Sequence, residues 1–153
     1  MKVLGFRADP NAPRYAIVQE NGGNFSLLNN SGESRLLYPA NLSTPTEKVD
    51  WLYRELERIF REHKDIEKVV VKSNEYTQSD TKAKRESAYA EAIVLLYCAQ
   101  KQISVEAKIY ASLGTNSSFV KDHAEKRVGR TVKYWDEKMA DAVIAAWNGA
   151  RSK

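Results

Sequence analysis

The sequence predicts an α/β domain in which a five-stranded mixed sheet, strand order 3-2-1-4-5, carries helices on both faces. Three observations predict it. The first forty residues are short apolar or alternating runs separated by turn formers, the pattern of an antiparallel meander. From residue 45 the apolar spacing lengthens to three and four, and helical stretches alternate with short apolar or alternating strand-like runs, the order that builds parallel crossovers. Right-handed crossovers then set the fourth strand beside the first and the fifth beside the fourth.

The meander is expected at 2–6, 14–19 and 24–29. Asp9-Pro10-Asn11-Ala12-Pro13 breaks the first pair and Glu20-Asn21-Gly22-Gly23 the second. Val49, Leu52, Tyr53, Leu56, Ile59 and Phe60 share one helical face, so a helix is expected at 45–63. Thr44 is its cap, Pro45 suits its first position, and Glu47 closes a capping box. The β-branched run 66–72 reads as a central strand. Beyond a polar loop, 85–102 is rich in Ala, Leu and Glu and reads as the second helix. Residues 104–110 alternate and form a strand near the sheet edge. A short basic helix capped by Ser117 or Ser118 runs to Val128, and 136–147 makes a terminal helix with Asp136 as N-cap.

Composition sets the outer bounds. With 153 residues, 42% apolar and 29% charged, the chain has the make-up of one ordinary globular domain spanning 1–153. Such a length buries roughly 70% of the unfolded surface without staples. The single cysteine, Cys98, excludes an internal disulfide and a thiolate metal cluster and fits a reducing, cytoplasmic setting. No run approaches the ~20 apolar residues of a membrane span, and the first residues do not resemble a signal peptide, so a mature start at Met1 is expected. A net charge of +4 leans towards anionic partners such as nucleic acid.

Three segments carry a resemblance to a known family. Val3-Leu4-Gly5-Phe6-Arg7-Ala8-Asp9-Pro10 with Tyr15-Ala16-Ile17-Val18, the run Val69-Val70-Val71-Lys72, and Ala140-Asp141-Ala142-Val143-Ile144-Ala145-Ala146 together resemble the RuvC-type Holliday junction resolvases of the ribonuclease H-like superfamily. The resemblance implies a ribonuclease H-like fold and a carboxylate cluster holding two Mg²⁺ or Mn²⁺ ions for phosphodiester hydrolysis. It also implies a homodimer and nucleic acid as partner: branched or duplex DNA, or RNA.

The departures from the family pattern are specific. Arg7 stands two residues after Gly5 where the family has Asp, and Lys72 ends the central strand where the family has Glu. Asp9 preserves the Asp-Pro pair with a two-residue slip and has the strand parity of position 7. Glu75 lies three beyond Lys72 with opposite parity, and faces away unless the strand has ended. Asp141 matches the family's helix acid, and Glu137 lies one turn earlier on the same face. The family's companion acid at a spacing of three is here Lys138. A catalytic set would therefore be Asp141, Asp9, Glu75 and Glu137, with Asp9 and Asp141 as metal ligands.

Each also has a plainer reading: Asp9 as a turn residue, Glu137 as a first-turn acid. His63 and His123 are isolated and support no zinc site. Neighbouring first and fourth strands place Arg7 and Lys72 side by side, facing Asp141, where two cations would repel divalent metal or keep a phosphate. Further cations cluster at Lys82, Lys84 and Arg85 and at Lys126, Arg127, Arg130 and Lys133. Either group offers phosphate contacts or a solvated face.

Three functions follow. The first is a nucleic-acid binder with a degenerate metal site and no cofactor. The second is an active Mg²⁺-dependent structure-selective endonuclease. The third is a protein-interaction scaffold with Arg7, Lys72 and Asp141 as an internal ionic network.

Overall fold

A computed structural model describes residues 1–151. Strands β1 (Lys2–Arg7), β2 (Arg14–Asn21), β3 (Asn24–Leu27), β4 (Ile66–Lys72) and β5 (Ser104–Lys108) form one sheet in the order β3-β2-β1-β4-β5. The β1–β2 and β2–β3 pairs are antiparallel, and β1–β4 and β4–β5 are parallel. Helices α1 (Pro45–Glu62) and α2 (Lys82–Lys101) cover one face. Helices α4 (Val120–Arg127) and α5 (Glu137–Arg151) cover the other, and the single turn α3 (Tyr110–Leu113) follows β5.

The alternation of side chains along each strand divides the core in two. Leu4, Phe6, Tyr15, Ile17, Val69 and Val71 pack with Leu52, Leu56 and Ile59 of α1 and with Val94 and Tyr97 of α2. Val3, Ala16, Val18 and Val70 pack against Met139, Val143 and Ala146 of α5. Gly5 lies on this second face. A Cβ there would collide with the carbonyl of Ala142 and come within 2.6 Å of the Ala146 nitrogen. The missing side chain lets α5 lie directly on β1, and the alanines of α5 are small enough to complete the contact. The same parity aims Arg7 of β1 and Lys72 of β4 at α5, opposite each other in register.

Local chemistry explains the element ends. Thr44 accepts from the Glu47 N–H and Glu47 returns to the Thr44 N–H, the expected box. Helix α2 starts at Lys82 rather than 85, because Thr81 caps it by accepting from the Lys84 N–H. Strand β3 stops at Leu27 rather than 29. Buried Asn29 accepts from the Ile17 N–H and donates to the Tyr15 and Glu33 carbonyls, so a side chain takes over from the ladder. Strand β5 stops at Lys108, and Tyr110 opens α3 instead of ending the strand. Helix α4 begins at Val120 without a serine cap; Asn116 accepts from the Ser118 and Phe119 N–H groups just before it. Asp136 does cap α5, accepting from the Met139 N–H, and the helix continues to Arg151 rather than 147. His63 closes α1, and His123 meets the Thr115 hydroxyl at 2.7 Å and stacks on Phe119.

Candidate active-site cleft

The C-terminal ends of β1 and β4, the turn α3 that follows β5, the first turn of α5 and the start of α2 border an open cleft of about 760 Å³. Arg7 and Lys72 reach it from the sheet, Tyr110 from α3, and Glu137 and Lys138 from α5. Asp141, fully buried, lies beneath. It sits one turn into a helix whose apolar side is fixed on β1, so its carboxylate has no route to water.

That carboxylate is satisfied from within. Arg7 Nε donates to Oδ2 at 2.9 Å, and the Tyr110 hydroxyl donates to Oδ1 at 2.6 Å. Tyr110 also lies 3.3 Å from Glu137 Oε1, but one hydroxyl carries one proton and the shorter contact takes it. Arg7 Nη1 donates to Asn74 Oδ1 at 2.7 Å. Lys72, with its side chain fully enclosed, donates to the Ser73 carbonyl and to Glu75 Oε2 at 3.1 Å, and sits 3.9 Å from the centre of the Tyr110 ring. Glu75 further accepts from the Tyr110 N–H.

Burial raises the Asp141 carboxyl above the ordinary carboxylate range, opposed by Tyr110 and Arg7. Burial and the adjacent Arg7 charge lower the Lys72 ammonium, opposed by Glu75 and Asp141. Burial and then Asp141 push the Tyr110 phenol far up.

These residues do not fit a divalent metal ion. Metal binding at Asp141 needs free carboxylate lone pairs and further acids converging on them. Both Asp141 oxygens already accept, one from a guanidinium. An added cation would also stand a few ångströms from Arg7 and Lys72, where repulsion in a partly buried site is strong. Among the described residues no three His, Cys, Asp or Glu side chains are grouped to hold a metal.

The expected site residues divide clearly. Arg7, Lys72, Asp141, Glu75 and Glu137 are brought together. Glu75 reaches the cluster because β4 ends at Lys72 and the chain curls back, removing the parity constraint. Asp9 stays outside it. Strand β1 ends at Arg7, and Asp9 accepts from the Asn11 and Ala12 N–H groups in a turn. It also pairs with Lys138. Burial raises its carboxyl, but Lys138 and the two N–H groups outweigh burial and hold it below the usual range. No hydrogen bond or ion pair joins Asp9 to Asp141 among the described residues.

Of the cations, Lys84 lines the cleft, bonded to the Thr77 and Ser79 hydroxyls. Lys82 lies 3.8 Å from Glu86 and Arg85 pairs with Asp80, and both line a separate hollow beside Pro45 and Tyr89. The other group lies on the opposite face of the sheet. Arg127 covers Trp147, Arg130 pairs with Glu125 and Lys126 is exposed. Lys133 borders a different pocket. Tyr110, expected only as the end of the fifth strand, and Asn74 complete the cluster. Strand register was the available signal, since Lys108 pairs with Lys72 and brings the residues after it to the same sheet edge.

No family model matches this chain, and no curated protein matches its sequence. Solved structures do match. Thermus thermophilus RuvC in complex with a Holliday junction substrate aligns with a TM-score of 0.76 at 17% identity, over 98% of this chain and 93% of that one. A second Thermus thermophilus RuvC structure gives 0.76 at 16% identity, over the same shares. The yeast mitochondrial Holliday junction resolvase Ydc2 gives 0.67 at 14%, over 97% of this chain and 77% of that one. With so few identities the shared property is the backbone: this chain has the ribonuclease H-like fold of the RuvC-type Holliday junction resolvases.

Proposed function

We propose that this protein binds nucleic acid without cutting it, its would-be metal site replaced by an internal ion network. The observation that carries the reading is the Arg7–Asp141 bond, with Lys72 in register beside Arg7. The similar structures include one in complex with a Holliday junction substrate, which supports a branched nucleic acid as ligand. Within the cleft, Lys84 is the cation to meet phosphate. Its partners are neutral hydroxyls, so its charge remains available, whereas Arg7, Lys72 and Lys138 each face a carboxylate. Contacts of this kind give affinity without sequence reading.

The test is binding of labelled four-way junction, duplex and single-stranded oligonucleotides in EDTA over a range of salt. Binding that needs no metal and falls steeply with salt is expected, and Lys84→Ala should reduce the slope of log affinity against log salt by about one. A second reading, a protein-interaction scaffold, draws on the internal pairing of Arg7, Lys72 and Asp141. Failure to bind any of the three substrates at any salt would favour it over nucleic-acid binding.

A further inference from the structure

Beyond the cleft, one surface pocket combines features that the central site lacks. A hollow of about 220 Å³ lies between the loop after β3 and the segment leading to α5. Arg35, Leu37, Val132, Lys133 and Tyr134 line it. Three of them are apolar or aromatic yet open to solvent: Leu37 is 59%, Val132 71% and Tyr134 53% exposed. Its walls are tied together by the Val132 N–H, which donates to the Asn30 carbonyl at 2.8 Å.

The Tyr134 ring carries the Arg35 guanidinium 3.7 Å from its centre, a joint cationic and aromatic platform. Tyr134 has φ +60°, a left-handed backbone that is uncommon for a bulky residue. The chain adopts it and presents the ring at the surface instead of burying it.

The pocket's cations resemble Lys84 of the cleft rather than its other three. Neither Arg35 nor Lys133 has a carboxylate within ion-pair distance among the described residues, whereas Arg7, Lys72 and Lys138 all do. The one acid on the lining, Glu33, accepts from the Tyr15 hydroxyl at 2.7 Å and pairs with Arg58 at 2.8 Å. Two uncompensated cations therefore flank an exposed ring. The volume is below the roughly 300–1,000 Å³ of ordinary small-molecule sites, a size that suits one planar ring system.

The pocket also adjoins the cleft. Asp136, two residues beyond Tyr134, pairs with Arg14 at 2.9 Å, and Arg14 bridges backbone to backbone with Arg35. Arg14 lies 3.9 Å from Asp9, which pairs with Lys138 at the cleft wall.

We infer that Arg35, Lys133 and Tyr134 form a capture site for one unstacked nucleotide of a single-stranded or branched nucleic acid. The base stacks on the Tyr134–Arg35 platform and the phosphate meets Lys133. This rests on the nucleic-acid reading above and adds to it where an unpaired nucleotide is held.

The test uses the full chain and a single-stranded oligonucleotide carrying 5-iodouridine, with affinity from anisotropy and irradiation crosslinks mapped by mass spectrometry. Tyr134→Gly removes the ring while keeping a residue at ease with the left-handed backbone, and its melting temperature checks that the fold is intact. A crosslink at Tyr134 is expected. Tyr134→Gly should lower affinity about tenfold, with Tyr134→Phe close to wild type and free dAMP a poor competitor.

Unchanged affinity in Tyr134→Gly, with crosslinks elsewhere, would overturn the pocket and leave nucleic-acid binding standing. Binding of dAMP as tight as the oligonucleotide would make it a free-nucleotide site and overturn the inference. A wild-type chain that binds no oligonucleotide overturns both readings; Tyr134-dependent binding of an acidic peptide in that case would identify a protein partner instead.

Discussion

At Asp141, burial and pairing act in opposite directions. Burial favours the neutral acid, while Arg7 and Tyr110 favour the charged form, and burial prevails in placing the carboxyl above its ordinary value. The native state therefore holds a proton that the unfolded state has already lost at pH values just above 3.8. Stability should fall as pH rises from that value to the raised one, then level off. Denaturant melts of wild type and Asp141→Asn across this window check it: the difference between the two should carry this slope, and parallel curves would refute it. Truncation asks more of the site. Asp141→Ala strands the Arg7 guanidinium, and the expected loss is about 3–5 kcal/mol in urea unfolding, with Asp141→Asn losing less because it still accepts from Arg7. Arg7, Lys72 and Asp141 were legible as a cluster because strand parity and helix spacing are fixed quantities. Tyr110 was not, because one turn of helix replaced the last residues of the expected strand and swung the phenol over Lys72.

The elements owe their placement to close approach as much as to pattern. Gly5 is the clearest case, since α5 rests on β1 where any Cβ would meet helix backbone. Gly5→Ala should cost more than about 3 kcal/mol, beyond the usual overpacking range because backbone rather than a side chain must move. It should also disturb Asp141, so near-UV circular dichroism should change along with the melting temperature. The α1 cap is a milder device: Thr44→Ala should cost about 1 kcal/mol, measured by chemical denaturation, because the Glu47 N–H loses its acceptor. Strand order and helix identity could be read from the sequence because period and crossover handedness determine them. Several ends could not. Asn29 ends β3 through side-chain hydrogen bonds to Tyr15 and Ile17 of β2 and to Glu33 in the next loop, and no hydrophobic period announces such contacts.

Across the whole molecule, the fold brings Arg7 of β1, Lys72 of β4, Glu75 of the loop after it and Asp141 of α5 to one edge of the sheet and pairs acid with base. A site built to hold metal would leave carboxylates facing one another; here Arg7 and Lys72 stand between Asp141 and Glu75. If those two cations are what exclude metal, exchanging them should restore it. The double variant Arg7→Asp with Lys72→Glu should bind Mn²⁺ in calorimetry where wild type shows no heat, and an equally silent variant would count against cation exclusion as the cause.

Binding without hydrolysis can be checked in a single cleavage assay. Labelled four-way junction is incubated with the full chain in Mg²⁺, Mn²⁺ or EDTA, with Asp141→Asn alongside, and bound and cut fractions are read from the same samples. A shifted, uncut junction is expected in all three conditions, with loss of the shift at high salt. Metal-dependent cutting that disappears in Asp141→Asn would contradict it and establish an active endonuclease that gathers Asp141 with Asp9, Glu75 or Glu137 around its metals.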